Sequence, residues 1–214
     1  MAILPRVWAG SALLLVLGLN AGLFGSPDSR RILVLGDSLA AGYGMTGPAF
    51  PAVLQEKIAA AGLDYEVVNA GVSGDTTAGG LRRIDWLLRS PVDVLVLELG
   101  ANDGLRGIPL DSTKRNLQSI VDRTRARYPE VRVVIAGMLV PPNLGPDYTR
   151  RFREIFEEVA AENAAALIPF LLEGVAGRPE LNLPDGIHPT REGHRIMAEN
   201  VWKVLGPLLE KRED

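Results

Sequence analysis

The sequence predicts an α/β domain built on a parallel sheet with helices on both faces. Three observations carry this. From Arg31 onward, short apolar runs alternate with longer segments of helical periodicity. The runs are apolar almost without interruption, as strands covered on both faces must be; the strongest, VDVLVLELG (92–100), is broken only by Asp93 and Glu98. No internal repeat or low-complexity linker divides the chain, and 214 residues with 47% hydrophobic and 23% charged content suit about one domain.

The elements follow in order. Residues 1–28 stand apart: Arg6 precedes a charge-free apolar stretch over 7–25. This pattern reads as a cleaved export signal or as a retained membrane anchor, with a buried helix of the domain as a third reading. Either of the first two places residues 29–214 outside the cytoplasm, periplasmic or secreted, and the second associates the protein with a membrane through 7–25. RILVLGD (31–37) is a buried strand. AFPAVLQEKIAAAG (49–62) is a helix closed by Gly62. YEVVNAGV (65–72) is the second strand, and 76–90 a helix with Thr76 as a candidate cap. The 92–100 strand leads to a long helix over 110–129, with Asp111 or Ser112 near its start. VRVVIAGMLV (131–140) is the fourth strand and 148–163 a helix. The fifth strand lies within 165–175, and the last helix covers 191–212.

Composition excludes several functions. The net charge of −3, without a basic patch, argues against nucleic acid. There are no cysteines, which removes disulfides, thiol catalysis and thiolate metal sites. His188 and His194 are the whole imidazole supply, so a histidine-rich metal site is not expected. No phosphate-binding glycine motif follows the first strand. That weighs against a nucleotide- or flavin-binding module; a phospho-receiver would need clustered acidic residues at the first strand end and a lysine near the last, and the sequence offers Asp37 alone and no suitably placed lysine.

In open parallel sheets, sites form beyond the carboxyl ends of the strands. Those ends carry Gly36-Asp37-Ser38, then Asn69 to Asp75, then Gly100-Ala101-Asn102-Asp103, then Pro141-Pro142-Asn143, and, before the last helix, Asp185-Gly186-Ile187-His188. Any one of them is ordinary turn chemistry. Together they hold the parts of a serine hydrolase. Ser38 needs a base, and His188 is the candidate. Asp185, three residues earlier, has the spacing to orient the far ring nitrogen. The N–H groups of Ser38 and Gly74 and the Asn102 amide are candidate oxyanion donors. Ser73 is a rival nucleophile. Neither serine lies in a G-x-S-x-G elbow, so the usual α/β-hydrolase arrangement is not expected. His194, inside the last helix, reads as structural. Asp37 and Asp103 admit a metal or phospho-acceptor reading, but Asp37 reads better as an organiser of its loop.

These blocks resemble the SGNH, or GDSL, hydrolases over residues 31–207. Gly36-Asp37-Ser38-Leu39 is the literal GDSL, and Gly74, Gly100-Ala101-Asn102-Asp103 and Asp185-Gly186-Ile187-His188 supply the others in order. GDSLAAGYGM, VVNAGVSGDTTAGGLRRI, ELGANDGLRG and DGIHPTREGH look like the bacterial acyl-CoA thioesterase and arylesterase branch. The resemblance implies a flavodoxin-like three-layer α/β/α sandwich with five parallel strands in the order 2-1-3-4-5. It implies Ser38, His188 and Asp185 as triad, with Ser38, Gly74 and Asn102 as oxyanion hole and no metal or cofactor. It also implies activity on small-molecule or lipid acyl esters and thioesters, aryl esters and lysophospholipids among them. Leu105 to Pro109, and Pro142 with Asn143, flank the acyl cleft by position. An extracytoplasmic carbohydrate O-acetyl esterase would use the same triad; aromatic residues, 6% of the chain, offer it few sugar-stacking faces.

Overall fold

The computed structural model describes residues 29–210. The signal or anchor reading of 1–28 lies outside the described residues. Five strands and seven α-helices follow in chain order: β1 (Arg30–Gly36), α1 (Ser38–Ala41), α2 (Phe50–Ala60), β2 (Tyr65–Gly71), α3 (Thr77–Leu87), β3 (Val94–Glu98), α4 (Ala101–Leu105), α5 (Leu110–Arg127), β4 (Arg132–Ala136), α6 (Pro146–Glu162), β5 (Ala166–Ile168) and α7 (Arg191–Glu210). All strand pairs are parallel, in the order β2-β1-β3-β4-β5. The chain passes from β1 to β2 on one side and returns to β3 on the other. The carboxyl ends of β1 and β3 therefore flank the topological switch, where a crevice opens.

The apolar runs form the central strands because both faces are covered. Every residue of β3 is buried, and so are the last five of β1. Helix α2 packs on α7, while α3, α5 and α6 pack in series. Phe50, Phe152 and Phe156 are the bulkiest fully buried side chains, and the latter two meet edge to face at 5.3 Å. Strand β2 is an edge and only half-buried. Gln55 covers its free backbone: its amide donates to the Tyr65 carbonyl (3.0 Å) and accepts the Val67 N–H (2.7 Å). A side chain thus occupies the hydrogen-bonding positions another strand would take.

Several boundaries differ from the sequence expectation. The fourth strand ends at Ala136, not 140. Met138 and Val140 are apolar because they are buried in the segment that leaves the sheet. Thr76 caps α3 as expected, accepting the Gly79 N–H at 3.2 Å. Helix α5 begins instead behind Pro109 without a side-chain cap, and Asp111 sits in its first turn, where the helix dipole favours a carboxylate. Two short helices, α1 and α4, replace what read as turns after β1 and β3. Among the described residues, no helix is long and apolar enough to cross a membrane.

Candidate active site

Strand β1 delivers the chain to the site through a crowded glycine. A Cβ on Gly36 would lie 2.3 Å from Glu98 Oε2 and 2.6 Å from Ala40 Cβ. Asp37 then caps α1, its Oδ1 accepting the Leu39 N–H at 3.0 Å. This turn sets Ser38 at the first position of α1, half-buried at the sheet edge.

His188 Nε2 lies 2.9 Å from Ser38 Oγ, across 150 residues of sequence. His188 Nδ1 lies 2.7 Å from Asp185 Oδ2. The loop that carries both is short and pinned. Gly186 takes the left-handed conformation (φ 71°), which favours glycine. The Leu183 N–H donates to the His188 carbonyl at 2.7 Å, and Asn182 bridges to Pro189. Asp185 Oδ1 accepts the N–H groups of Ile187 (2.9 Å) and His188 (3.0 Å). These backbone donors, with the His188 ring, hold its carboxyl down at about 2, so it remains ionised through the neutral range. Tyr43, which sequence reasoning did not single out, packs its ring on His188 with centroids 4.5 Å apart.

The three candidate donors lie in the segments that follow β1, β2 and β3. Helix N-terminal positions lack an intrahelical acceptor, and among the described residues the Ser38 N–H donates no hydrogen bond; nor does that of Gly74, left-handed at φ 78°. Asn102 stands on α4, and its Nδ2 donates to Asp37 Oδ2 at 3.0 Å. An amide nitrogen has two N–H bonds, so one is left over. Helix α4 is anchored by buried Asp103, which accepts the Thr77 N–H (2.9 Å) and the Thr77 and Thr113 hydroxyls. Asp103 is therefore a tie between helices, and the metal or phospho-acceptor reading loses it. Among the described residues, no cluster of three or more His, Asp or Glu is arranged to hold a metal ion. Arg83 ties the strand ends together: it pairs with Asp75 at 2.8 Å and donates to the carbonyls of Ala70 (2.6 Å) and Gly36 (3.0 Å).

Behind this surface lie two buried carboxyls. Burial pushes Asp37 up to about 6, against the downward pull of the Leu39 N–H and the Asn102 amide. Glu98, the polar interruption of the third strand, is fully buried; burial and then the Asp37 charge raise it well above the carboxylate range. The neutral partner at pH 7 is thus Glu98, whose Oε2 accepts the Asp37 N–H at 3.1 Å. Asp37 is the charged one, and it organises its loop as the sequence suggested.

The other candidates sort clearly. Ser73 is exposed and hydrogen-bonded to neither histidine. His194 is buried, and its Nδ1 accepts the Phe50 N–H at 3.2 Å, a structural role. Leu105 ends α4, Pro109 precedes α5, and Pro142 and Asn143 lie in a 3-10 turn; all four are exposed, and none is hydrogen-bonded to Ser38, Asp185 or His188. Of the large exposed hydrophobics among the described residues, Tyr43, Val72, Leu105, Leu139, Leu144 and Ile187 all lie in segments beyond the strands' carboxyl ends, and Trp86 lies elsewhere.

The chain matches the GDSL-like lipase/acylhydrolase family over residues 34–196. It is 44% identical over 183 residues to the esterase TesA of Pseudomonas aeruginosa, covering 85% of this chain and 90% of the relative. It is 39% identical over 189 residues to the thioesterase 1/protease 1/lysophospholipase L1 of Escherichia coli K12, covering 87% and 88%. Among solved structures, the psychrotrophic esterase EstA of a Pseudoalteromonas species, inhibited by monoethylphosphonate, superposes with a TM-score of 0.78 at 32% identity, over 85% of this chain and all of that one.

Proposed function

The chain belongs to the GDSL-like lipase/acylhydrolase family and is a carboxylic ester hydrolase, and from that premise we propose that it cleaves acyl esters and thioesters through an acyl-enzyme on Ser38. The observation that carries this reading is the unbroken chain of contacts from Ser38 Oγ to His188 (2.9 Å) and from His188 to Asp185 (2.7 Å).

Each residue has one task. His188 Nε2 takes the Ser38 proton as Oγ attacks the acyl carbonyl. Ionised Asp185 holds the ring in the tautomer with Nδ1 protonated and stabilises the imidazolium that forms. The carbonyl oxygen becomes an oxyanion and meets the N–H groups of Ser38 and Gly74 and the free N–H of Asn102. Such a donor is worth about 10²–10³ in turnover. As the tetrahedral adduct collapses, His188 returns its proton to the departing alkoxide or thiolate. Water then enters and gives a proton to His188 as its oxygen attacks the acyl carbon; the bond from that carbon to Ser38 Oγ breaks, His188 returns the proton to Oγ, and the acid leaves. These steps are assigned entirely to side chains and backbone of this chain.

Among the described residues, the large exposed hydrophobics in the segments beyond the strands' carboxyl ends are aliphatic except Tyr43. Acyl chains find contact area there, whereas stacking surface for sugars is scarce. We therefore favour acyl esters, thioesters and lysophospholipids over carbohydrate O-acetyl groups, with Leu105, Pro109, Pro142 and Asn143 bordering the acyl group. Export, or tethering by residues 7–25, rests on the charge-free run after Arg6; cell fractionation with N-terminal sequencing tests it.

The functional test is hydrolysis of p-nitrophenyl esters from acetyl to palmitoyl by the full-length protein and by Ser38→Ala. Activity in the first and none in the second is expected. Most of the activity surviving in Ser38→Ala would overturn the assignment, and turnover of acetylated oligosaccharides alone would overturn the substrate class.

A further inference from the structure

The Asn102 amide is gripped at both ends. Its Nδ2 donates to Asp37 Oδ2 at 3.0 Å, and its Oδ1 accepts from Arg106 Nη2 at 3.3 Å. Arg106 sits one turn further on, at the end of α4, exposed. Among the described residues it forms no ion pair; Asp75, on the Gly74 loop, is taken by Arg83 at 2.8 Å. The same guanidinium borders a second candidate donor, since a Cβ on Gly74 would lie 3.5 Å from Arg106 Nη2. One cation thus touches Asn102 and lies beside Gly74.

The two grips pull in opposite senses. A carboxylate accepting from Nδ2 feeds electron density into the amide and weakens its second N–H as a donor. A cation donating to Oδ1 withdraws density along O=C–N and strengthens it, because hydrogen bonds in series polarise one another. Asp37 alone fixes the orientation of the amide, since a flipped Asn102 would set its oxygen against a carboxylate. What Arg106 adds is polarisation at a group that must meet a developing negative charge, with its own positive charge nearby.

We propose that Arg106 is a positioning residue of the oxyanion hole that acts through Asn102, raising the donor strength of its free N–H. This rests on the Ser38 acyl-enzyme reading. Its effect belongs to the transition state, where the oxyanion exists, and so to kcat rather than KM.

The test is a double-mutant cycle on a neutral ester, p-nitrophenyl butyrate, with the full-length protein. Arg106→Gln is expected to lower kcat about tenfold, less than the loss of a whole donor, while KM and the melting temperature hold. Arg106→Lys, which keeps the charge and a donor, is expected to recover part of the loss. In the Asn102→Ala background, Arg106→Gln is expected to change kcat less than about twofold, because coupled residues are not additive. An undiminished kcat in Arg106→Gln overturns the proposal. So does an equal fold loss in both backgrounds, which would mean that Arg106 acts directly on substrate or on the fold. So does a KM effect confined to acyl-CoA, which would make it a contact for a phosphorylated leaving group. Ser38→Ala is measured alongside: activity there would sink the acyl-enzyme reading, whereas the Arg106 outcomes bear on Arg106 alone.

Discussion

Asp37→Asn separates the cost of burying a charge from the purpose of burying it. The Asp37 carboxyl is raised to about 6 in the fold from an ordinary value of 3.8, with burial as the leading cause. A carboxyl raised in this way binds its proton more tightly folded than unfolded. Its stabilising contribution is complete below pH 3.8 and drains away as the pH rises toward and through 6. Taking these two values, the loss between pH 4.5 and pH 7.5 is about 2 kcal/mol. Asparagine does not titrate. It keeps an oxygen for the Leu39 N–H but sets an N–H group against Asn102 Nδ2, where 3.0 Å now separates donor from acceptor. That clash costs about 1–3 kcal/mol at every pH. The clean observable is therefore the change in the stability difference between variant and wild type. Urea unfolding of both proteins at pH 4.5 and 7.5 should show the variant gaining on wild type by about 2 kcal/mol at the higher pH. Its esterase activity should fall meanwhile, because Asn102 loses its anchor. Parallel pH dependences for the two proteins would refute the claim that Asp37 is buried as an anion.

Three further outcomes follow from the geometry. His194 is depressed to about 4 from 6.5 by burial, so its contribution is complete above pH 6.5 and lost as the pH falls toward 4; His194→Asn should reduce the acid-induced loss of stability by up to about 3 kcal/mol, and an unchanged pH slope in urea unfolding would contradict this. Gly36→Ala drives a methyl group to 2.3 Å from Glu98 Oε2 and 2.6 Å from Ala40 Cβ, which should cost about 1–3 kcal/mol as overpacking; an unshifted denaturant midpoint would show that the floor of the site yields freely. Asp185→Asn should lower kcat on the order of 10²–10⁴-fold with little change in KM, because the His188 tautomer is no longer set; steady-state kinetics near neutral pH decides it.

Much of this was legible in the chain because the chemistry sits where α/β topology puts it. Buried strands announce themselves as continuous apolar runs, and Ser38, Asn102 and His188 each follow one or precede the last helix. Helices α1 and α4 were not legible. Four or five residues are too few to show a period, and side chains hold them in place: Asp37 on the Leu39 N–H, Asp103 on Thr77 and Thr113. The fourth strand is shorter than its apolar run because Met138 and Val140 are buried outside any sheet, and hydrophobicity records burial rather than strand pairing. Tyr43, Arg83 and Arg106 were missed because their roles depend on which side chain faces which across separate loops. Glu98 did leave a trace, as the one carboxyl inside the most apolar strand core, but not its partner. That Asp37 lies against it is fixed by the register of β1 beside β3, which sets Gly36 opposite Glu98.

The claim that everything else leans on is that Ser38 is the nucleophile. The most direct measurement is the intact mass of the full-length protein after incubation with an activated ethylphosphonate ester, followed by peptide mapping. One phosphonyl adduct per chain is expected, located on Ser38, with esterase activity lost in proportion, and no adduct on Ser38→Ala. An adduct on Ser73, or stoichiometric modification that leaves Ser38 free while activity disappears, would contradict it.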